Sequence, residues 1–238
     1  MARERVLLKI SGEALSGEGV SGLRRDKMNL MAKEIVSVED LFELAIVVGG
    51  GNIIRGTQLI EEVHLQDPVV AHYAGMVGTI INAIVFQSVL EDDFGLETRV
   101  QSAIEVRDVA EIFCRRKALS HLRKGRIVIF ASGTGSPYFS TDTAMVLRAC
   151  EIGAKTAFKG TKVDGIFDRD PKKDDAAVLI PKISYMDYLS RVPKLNIIDG
   201  PAVAVARDRS LVLKVFNIFK EGNLKRILTG ENIGSEIS

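Results

Sequence analysis

Three consecutive glycines, residues 49–51, follow a short apolar run, and Arg55 comes four positions after the last of them. Glycine has no Cβ, so such a run lets the backbone turn tightly and brings its N–H groups close to a bound group. If a helix follows, its free N–H groups attract an anion, and a guanidinium can hold two phosphate oxygens at once. The stretch therefore indicates a phosphate site. Taken alone, it is equally consistent with glycines that only let a strand and a helix pack closely.

Two further polar groups follow apolar runs that have the length of strands. Lys9 closes the first run and is followed by Ser11 and Gly12, which places an ammonium group beside exposed backbone donors. A later run leads into a hydroxyl-rich loop that consists of Thr134, Gly135, Ser136, Pro137, Tyr138, Phe139, Ser140 and Thr141. Asp142 then falls in the first turn of a helix predicted over residues 141–151. An aspartate there commonly offsets the helix dipole, and the alternative is that it orients Lys9 or a metal ion.

Two familiar phosphate motifs do not fit this chain. Residues 17–22 match GxGxxG literally, but no strand leads directly into them, and Glu18 stands where a pyrophosphate would lie. We interpret that stretch as a loop. Residues 51–57 have the glycine spacing of a P-loop but lack the lysine that reaches the β- and γ-phosphates, which excludes a Walker A motif.

Strand-like and helix-like segments alternate between these groups. Short apolar runs predict strands at residues 5–10, 45–48, 98–100, 126–131, 156–158 and 211–216. Helical spacing joins Met28, Met31, Ile35, Val38 and Phe42, and later Val109, Ile112, Phe113, Leu119 and Leu122, with a stop at Lys124-Gly125. The alternation predicts an α/β fold, a mostly parallel sheet with helices on both faces. Ligands bind at the carboxyl ends of parallel strands, so the three polar strand exits should form one site.

Length and composition limit the classes of partner. The 238 residues fit one domain of two lobes that meet near residue 155, and 46% of them are hydrophobic. The net charge of +1 gives no global attraction to nucleic acid or to a membrane. Cys114 and Cys150 lack metal-binding spacing and read as free thiols in a reducing compartment. The N-terminus is not that of a signal peptide, and the sequence has no run of about 18 apolar residues. We expect a cytoplasmic protein.

Six stretches, taken together and in this order, resemble the amino-acid kinase superfamily, and within it the bacterial UMP kinases. They are KISGEAL (9–15), GGGNIIRG (49–56), GMVGTIINA (75–83), GTGSPYFSTDTA (133–144), KGTKVDGIFDRDP (159–171) and IIDGPAVAVARD (197–208). The resemblance implies a three-layer αβα sandwich of the amino-acid kinase type, in which residues 1–155 hold UMP and residues 156–238 hold the nucleoside of ATP. It also implies direct in-line phosphoryl transfer from ATP to UMP, with Mg²⁺ accompanying ATP, in pyrimidine nucleotide biosynthesis.

The resemblance also assigns roles to individual residues. Those tied to catalysis are Lys9, Arg55, Asp142 and Asp199. Those expected to contact ATP are Lys9, Ile10, Ser11, Gly12, Gly51, Arg55, Thr161, Phe167 and Asp170. Those expected to contact UMP are Gly50, His72 and the whole hydroxyl-rich loop, and no protein ligand to a metal is expected. The resemblance further implies a homohexamer that GTP activates and UTP inhibits. A predicted helix over residues 73–90, apolar on more than one face, fits a subunit interface or a buried core helix equally.

Elementary chemistry agrees with this activity. A phosphate monoester has a second pKa of about 6, so the attacking oxygens of UMP are already largely ionised at neutral pH. The enzyme must then align two polyanions and neutralise their charge, which lysine, arginine, backbone N–H groups and Mg²⁺ can do without a general base.

Three positions depart from the family pattern. Aligned on Gly75-Met76, the chain has His72 where the bacterial UMP kinases have an aspartate for the ribose hydroxyls. A neutral histidine can accept one such hydrogen bond; alternatively Asp67 supplies the contact, or the contact is weaker. Gly160 replaces a usual alanine, and Pro201 follows Asp199-Gly200.

Two rival functions stay open. One is another superfamily member that phosphorylates a carboxylate, a carbamate or a small phosphate. The other is a non-catalytic nucleotide-binding or metal-storage protein on the same fold, because fold does not fix function.

Overall fold

A mostly parallel sheet forms the centre of the chain, which the computed structural model describes over residues 3–17, 21–195 and 197–238. The strands are β1 (Glu4–Ile10), β2 (Phe42–Val48), β3 (Thr98–Ser102), β4 (Glu111–Ile112), β5 (Ile127–Ala131), β6 (Thr156–Thr161), β7 (Ile166–Phe167), β8 (Leu179–Ile180), β9 (Lys182–Ile183), β10 (Val212–Asn217) and β11 (Ser235–Ile237). Over the described residues the order in the large sheet is β4-β3-β5-β2-β1-β6-β10-β11-β9, and β7 pairs with β8 separately. The β10–β11 pair is antiparallel, and the other pairs of the large sheet are parallel.

Helices cover both faces of this sheet. They are α1 (Glu13–Ser16), α2 (Arg25–Val36), α3 (Gly56–Glu62), α4 (Pro68–Phe94), α5 (Arg115–Arg123), α6 (Thr141–Ile152), α7 (Tyr185–Leu195), α8 (Gly200–Asp208) and α9 (Asn223–Leu228). Side chains of a strand alternate between faces, so Leu8 and Ile10 of β1 pack with α2, α4 and α9, while Leu7 packs with α5 to α8. The predicted three-layer α/β architecture is confirmed.

The lobe boundary predicted near residue 155 falls inside a continuous sheet. β1 pairs with β2 on one side and with β6 on the other, so the sheet passes from one predicted lobe to the next without a break. The division into residues 1–155 and 156–238 stays a prediction.

Both predicted amphipathic helices extend too far. The first ends at Val36, after which Val38 packs in the core from a turn and Phe42 begins β2. The second covers only Arg115–Arg123, and Ile112 lies in β4. A turn or strand that returns to the same core places apolar residues at spacings that resemble those of a helix. The strands of two or three residues were missed because they are too short to show any period.

Helix α4 is 27 residues long, and both of its ends are capped. Asp67 accepts a hydrogen bond from Val69 N at 2.9 Å, and Gly95 takes the left-handed conformation that ends the helix. By length and composition alone α4 could cross a membrane, a property that the core helix of a soluble protein shares. Phe86 and Leu90 of α4 are buried against the sheet, which is the packing of a core helix.

Candidate active site

The three predicted polar strand exits lie side by side in the sheet. β5, β2 and β1 are neighbours, and β6 follows β1 on the other side. Their register places Lys9 opposite both Val47 of β2 and Lys159 of β6, with Val47 opposite Phe130 of β5. The loops that follow these strands therefore start from one edge of the sheet. The three exits thus lie together, as predicted, and their joint function as one site stays a prediction.

Lys9, Asp142 and Lys159 form a buried charged cluster at this edge. Asp142, in the first turn of α6, has Oδ1 3.3 Å from Lys9 Nζ, and its Oδ2 accepts a hydrogen bond of 2.5 Å from Lys159 Nζ. Lys159 Nζ also donates to the carbonyl oxygen of Ile197. Lys9 and Asp142 are each only 8% exposed. Of the two interpretations of Asp142, the one in which it orients Lys9 fits this geometry.

Burial and the neighbouring charges act in opposite directions on Asp142 and on Lys159. Burial by itself would raise the pKa of Asp142, but the positive charges of Lys9 and Lys159 outweigh that effect and hold the pKa below its ordinary value. Burial lowers the pKa of Lys159, and the Asp142 carboxylate opposes that shift. Among the described residues the Lys9 ammonium makes only its ion pair with Asp142, so it keeps donors for an anion.

Lys159 was missed as a site residue by the sequence analysis, although it begins one of the six motif stretches. The residues next to Lys159 in the sequence do not indicate a functional role, because Lys159 follows an apolar run in the middle of a strand. The signal that identifies it is the pairing of β6 with β1, which sets it beside Lys9.

The glycine run packs closely against its surroundings, which is one of the two functions that its sequence left open. A Cβ on Gly50 would lie 2.7 Å from the carbonyl oxygen of Gly75, and a Cβ on Gly12 would lie 2.0 Å from Asn52 Oδ1, so close packing is real at these two positions. Asn82 of α4 fixes the run by donating to Gly49 O at 2.6 Å and to Asn52 Oδ1 at 2.7 Å. Gly51 has no such crowding. It lines a pocket of about 310 Å³.

That pocket lies between the glycine run, α4 and the hydroxyl-rich loop. It brings together several predicted residues: Gly50, Gly51, His72, Thr134, Phe139 and Thr141. The loop is attached to α4, because Thr79 Oγ1 accepts a hydrogen bond of 2.6 Å from Ser132 N. At the pocket mouth the rings of His72 and Tyr138 lie 4.9 Å apart, and Tyr138 is 69% exposed.

Asp199 supports the loop from the opposite side. Its carboxylate accepts hydrogen bonds from Ser140 Oγ and, at 2.9 Å, from Thr143 Oγ1, and it caps α8 through Ala202 N at 2.8 Å. The hydrogen bonds of Asp199 therefore hold the start of α6, and its negative charge also acts on Lys159, where it opposes the lowering of the pKa by burial. Pro201 fits this arrangement, because a proline in the first turn of a helix removes no hydrogen bond.

Arg55, a predicted site residue, belongs to a second charged cluster near the phosphate loops, together with Glu13 and Lys162. Arg55, the residue before α3, pairs with Glu13 through its guanidinium and donates to Gly51 O at 3.2 Å. Glu13 also lies 2.6 Å from Lys162 Nζ. The hydrogen bond from Lys162 lowers the pKa of Glu13, with Arg55 adding to this and burial opposing it. Glu13 was not predicted as a site residue.

The residues predicted for the ATP nucleoside lie on the β6–β7 side. Thr161 ends β6 and donates through Oγ1 to Val163 O at 2.7 Å, and Phe167 lies in β7. Asp170 follows in an exposed loop, where it accepts from Lys172 N at 3.0 Å. These contacts are local, so the roles of the three residues stay predictions, as do those of Ile10, Ser11, Gly135, Ser136 and Pro137.

Three smaller expectations meet the structure as follows. Asp67, the alternative to His72, is engaged as the cap of α4. Gly160 packs against Ile218, and a Cβ at position 160 would lie only 2.8 Å from Ile218 Cδ1. The loop over residues 17–22, together with any effector role for it, lies partly outside the described residues.

Comparison with known proteins gives a consistent picture. Residues 4–217 match the model of the amino acid kinase family. A uridylate kinase of Rubrobacter xylanophilus is 47% identical over 233 residues, which are 97% of this chain and 90% of that protein. The crystal structure of UMP kinase from Bacillus anthracis covers the whole chain with a TM-score of 0.93 and 37% identity, over 97% of its own length. That of UMP kinase from Ureaplasma parvum does so with a TM-score of 0.92 and 30% identity, over all of its length. The chain therefore belongs to the amino acid kinase family, and within it to the uridylate kinases.

Proposed function

We propose that this protein transfers the terminal phosphoryl group of ATP to UMP and so forms ADP and UDP. The observation that carries the proposal is the buried Lys9–Asp142–Lys159 cluster, which lies at the same sheet edge as the glycine run and its pocket. The names of the relatives reported above support the choice of UMP as acceptor.

The reaction needs positioning and charge neutralisation. A phosphate oxygen of UMP forms a bond to the γ-phosphorus of ATP, while the bond between that phosphorus and the β–γ bridging oxygen breaks and leaves its electron pair on ADP. Negative charge spreads over the transferred group. Lys9 and Lys159 supply buried positive charge beside it, Arg55 adds a guanidinium, and Asp142 keeps the two lysines in place.

Each substrate has a proposed place. UMP would occupy the pocket lined by Gly50, His72 and the hydroxyl-rich loop. ATP would lie with its phosphates at Lys9, Ser11, Gly12, Gly51 and Arg55. Its nucleoside would extend toward Thr161, Phe167 and Asp170.

Mg²⁺ would enter with ATP. Among the described residues, no three His, Cys, Asp or Glu side chains come together to hold a metal ion. Both carboxylate oxygens of Asp142 face lysines. The residues present thus do not form a protein cage for Mg²⁺, and the ion would be carried by the nucleotide phosphates, where it offsets their charge.

The proposed assembly of the enzyme is based on an exposed apolar surface of α4. Helix α4 exposes Val70, Tyr73, Val77 and Ile81. An exposed apolar row of this kind marks an interaction site, and we propose that it contacts a second copy within a homohexamer. Sedimentation equilibrium of the protein and of a Val77→Glu variant tests this, since a monomer in both would contradict it.

The proposal also includes activation by GTP and inhibition by UTP. It places the enzyme in the cytoplasm and in pyrimidine nucleotide biosynthesis, with no nucleic-acid or membrane partner.

The function is tested by ADP release with Mg²⁺ and ATP against UMP, dUMP, CMP, AMP and GMP in parallel. Turnover that depends on UMP supports the proposal. Turnover with several acceptors would show that phosphoryl transfer is intact but acceptor selectivity is lost. ATP binding without ADP formation would instead favour the non-catalytic nucleotide-binding function.

Replacing His72 by aspartate is expected to tighten UMP binding by about three- to tenfold, or roughly 0.7–1.4 kcal/mol. His72 lies in the pocket wall, and a carboxylate can accept hydrogen bonds from both ribose hydroxyls where a neutral imidazole accepts one. Calorimetry of UMP binding measures the change, with His64→Asp, an exposed histidine outside the pocket, as the control for added charge. An unchanged or weaker affinity in His72→Asp would show that this pocket binds ribose in another way.

A further inference from the structure

One carboxylate joins Arg55, a proposed ATP contact, to a second cation, Lys162. Glu13, the first residue of α1, accepts a hydrogen bond from Arg55 and makes an ion pair of 2.6 Å with Lys162. Arg55 belongs to the loop after β2 and Lys162 follows β6, whereas Glu13 follows β1, which pairs with both strands. Glu13 therefore links the two flanking strand exits across the central one.

This second cluster differs from the first in its exposure. The Glu13, Arg55 and Lys162 side chains are 26%, 53% and 24% exposed, while Lys9 and Asp142 are close to 10%. Ion pairs at such exposure are weak and are screened by salt. A polyanion that reaches Arg55 and Lys162 can therefore compete with Glu13 for these two cations.

The charges of the second cluster also suit such an exchange. Arg55 and Lys162 approach the same carboxylate from two sides. The carboxylate spans both cations with its two oxygens, and the oxygens of a phosphate group can do the same. The glycine run lies beside this cluster, since Arg55 Nε donates a hydrogen bond to Gly51 O at 3.2 Å.

We propose that Glu13 holds the place of a phosphate group of ATP, and that ATP binds by displacing the Glu13 carboxylate from Arg55 and Lys162. The inference rests on the proposed function, because it takes ATP as the phosphoryl donor. Two consequences follow. The favourable interaction of ATP with these cations is offset in part by the loss of their ion pairs with Glu13. The displaced carboxylate also stays close to the phosphates and repels them. Glu13 thus lowers the affinity for ATP while it keeps both cations at the site.

The test compares ATP binding by calorimetry in wild type, Glu13→Gln and Glu62→Gln. The glutamine is nearly isosteric but carries no charge, so the Kd for ATP is expected to fall about three- to tenfold. Glu62 lies at the end of α3, away from the cluster, and its substitution removes the same charge and should leave the Kd unchanged. The gain in Glu13→Gln should shrink as salt is raised, because it is electrostatic.

A double variant separates competition from a purely structural role. If Glu13 acts through Lys162, the gain from Glu13→Gln is expected to be smaller in a Lys162→Met background. Equal or weaker ATP binding in Glu13→Gln, with an unchanged Tm, would overturn the inference and make Glu13 a group that only positions the cations. A wild-type protein that binds no ATP would instead overturn the proposed function.

Discussion

Lys9→Ala is expected to lower kcat by about a hundred- to a thousandfold while leaving the Kd for UMP nearly unchanged. Lys9 is buried, its ammonium faces Asp142 at 3.3 Å, and it lies in the central strand at the edge where the phosphate loops begin. Charge on the transferred group develops in the transition state, so a fixed cation there acts more on the rate than on the binding of the acceptor.

Steady-state kinetics and calorimetry of UMP binding measure the two quantities separately. Lys124→Ala, which removes an exposed lysine at the end of α5, serves as the control for lost charge. Thermal unfolding shows whether the variant keeps its fold, and Lys9→Arg, which retains the charge, should recover part of the rate. A loss of UMP affinity as large as the loss of kcat would contradict a role confined to the transition state.

The parts of the fold that the sequence predicted are those with local signals. Six strands were recognised because apolar and β-branched residues predominate in short runs, and the glycine run and hydroxyl-rich loop were recognised because they follow such runs. The carboxyl ends of parallel strands lie at one edge of the sheet, so the sequence also predicts that these exits lie close together.

The missed parts depend on which strands become neighbours. Lys159 lies at the site only because β6 pairs with β1. The sequence of a single strand does not specify which strand becomes its neighbour. Glu13 likewise matters through Arg55 and Lys162, which are distant in sequence. The Asn52–Asn82 pair that fixes the glycine run is another contact of this kind. Local patterns identify the candidate residues, whereas the tertiary pairing decides which of them act together.

Asp142 shows how burial changes the expected effect of a substitution. From the sequence, Asp142→Asn is expected to fold normally and lose activity. The structure shows the carboxylate between two buried lysines, so the asparagine would leave two ammonium groups facing each other without a counter-charge. Removing one partner of a buried ion pair costs about 3–5 kcal/mol. We therefore expect a loss of both activity and stability at neutral pH.

The pH dependence of that loss identifies its cause. The pKa of Asp142 is lower in the folded protein than its ordinary value of 3.8, so its contribution to stability is fully present above that value. The contribution is lost as the pH falls through the folded pKa. The difference in unfolding free energy between wild type and Asp142→Asn should therefore be constant near neutral pH and shrink only in acid.

Urea unfolding of both proteins at pH values from about 7 down to about 3 measures this difference. The matched control is Asp26→Asn, because Asp26 also lies in the first turn of a helix but is exposed and pairs with Arg24 on the surface. If Asp142 only offset the dipole of α6, both substitutions would have the same small effect, and the activity of Asp142→Asn would survive. A large, acid-sensitive loss confined to Asp142→Asn would instead show that the ionised carboxylate holds Lys9 and Lys159 in place for phosphoryl transfer.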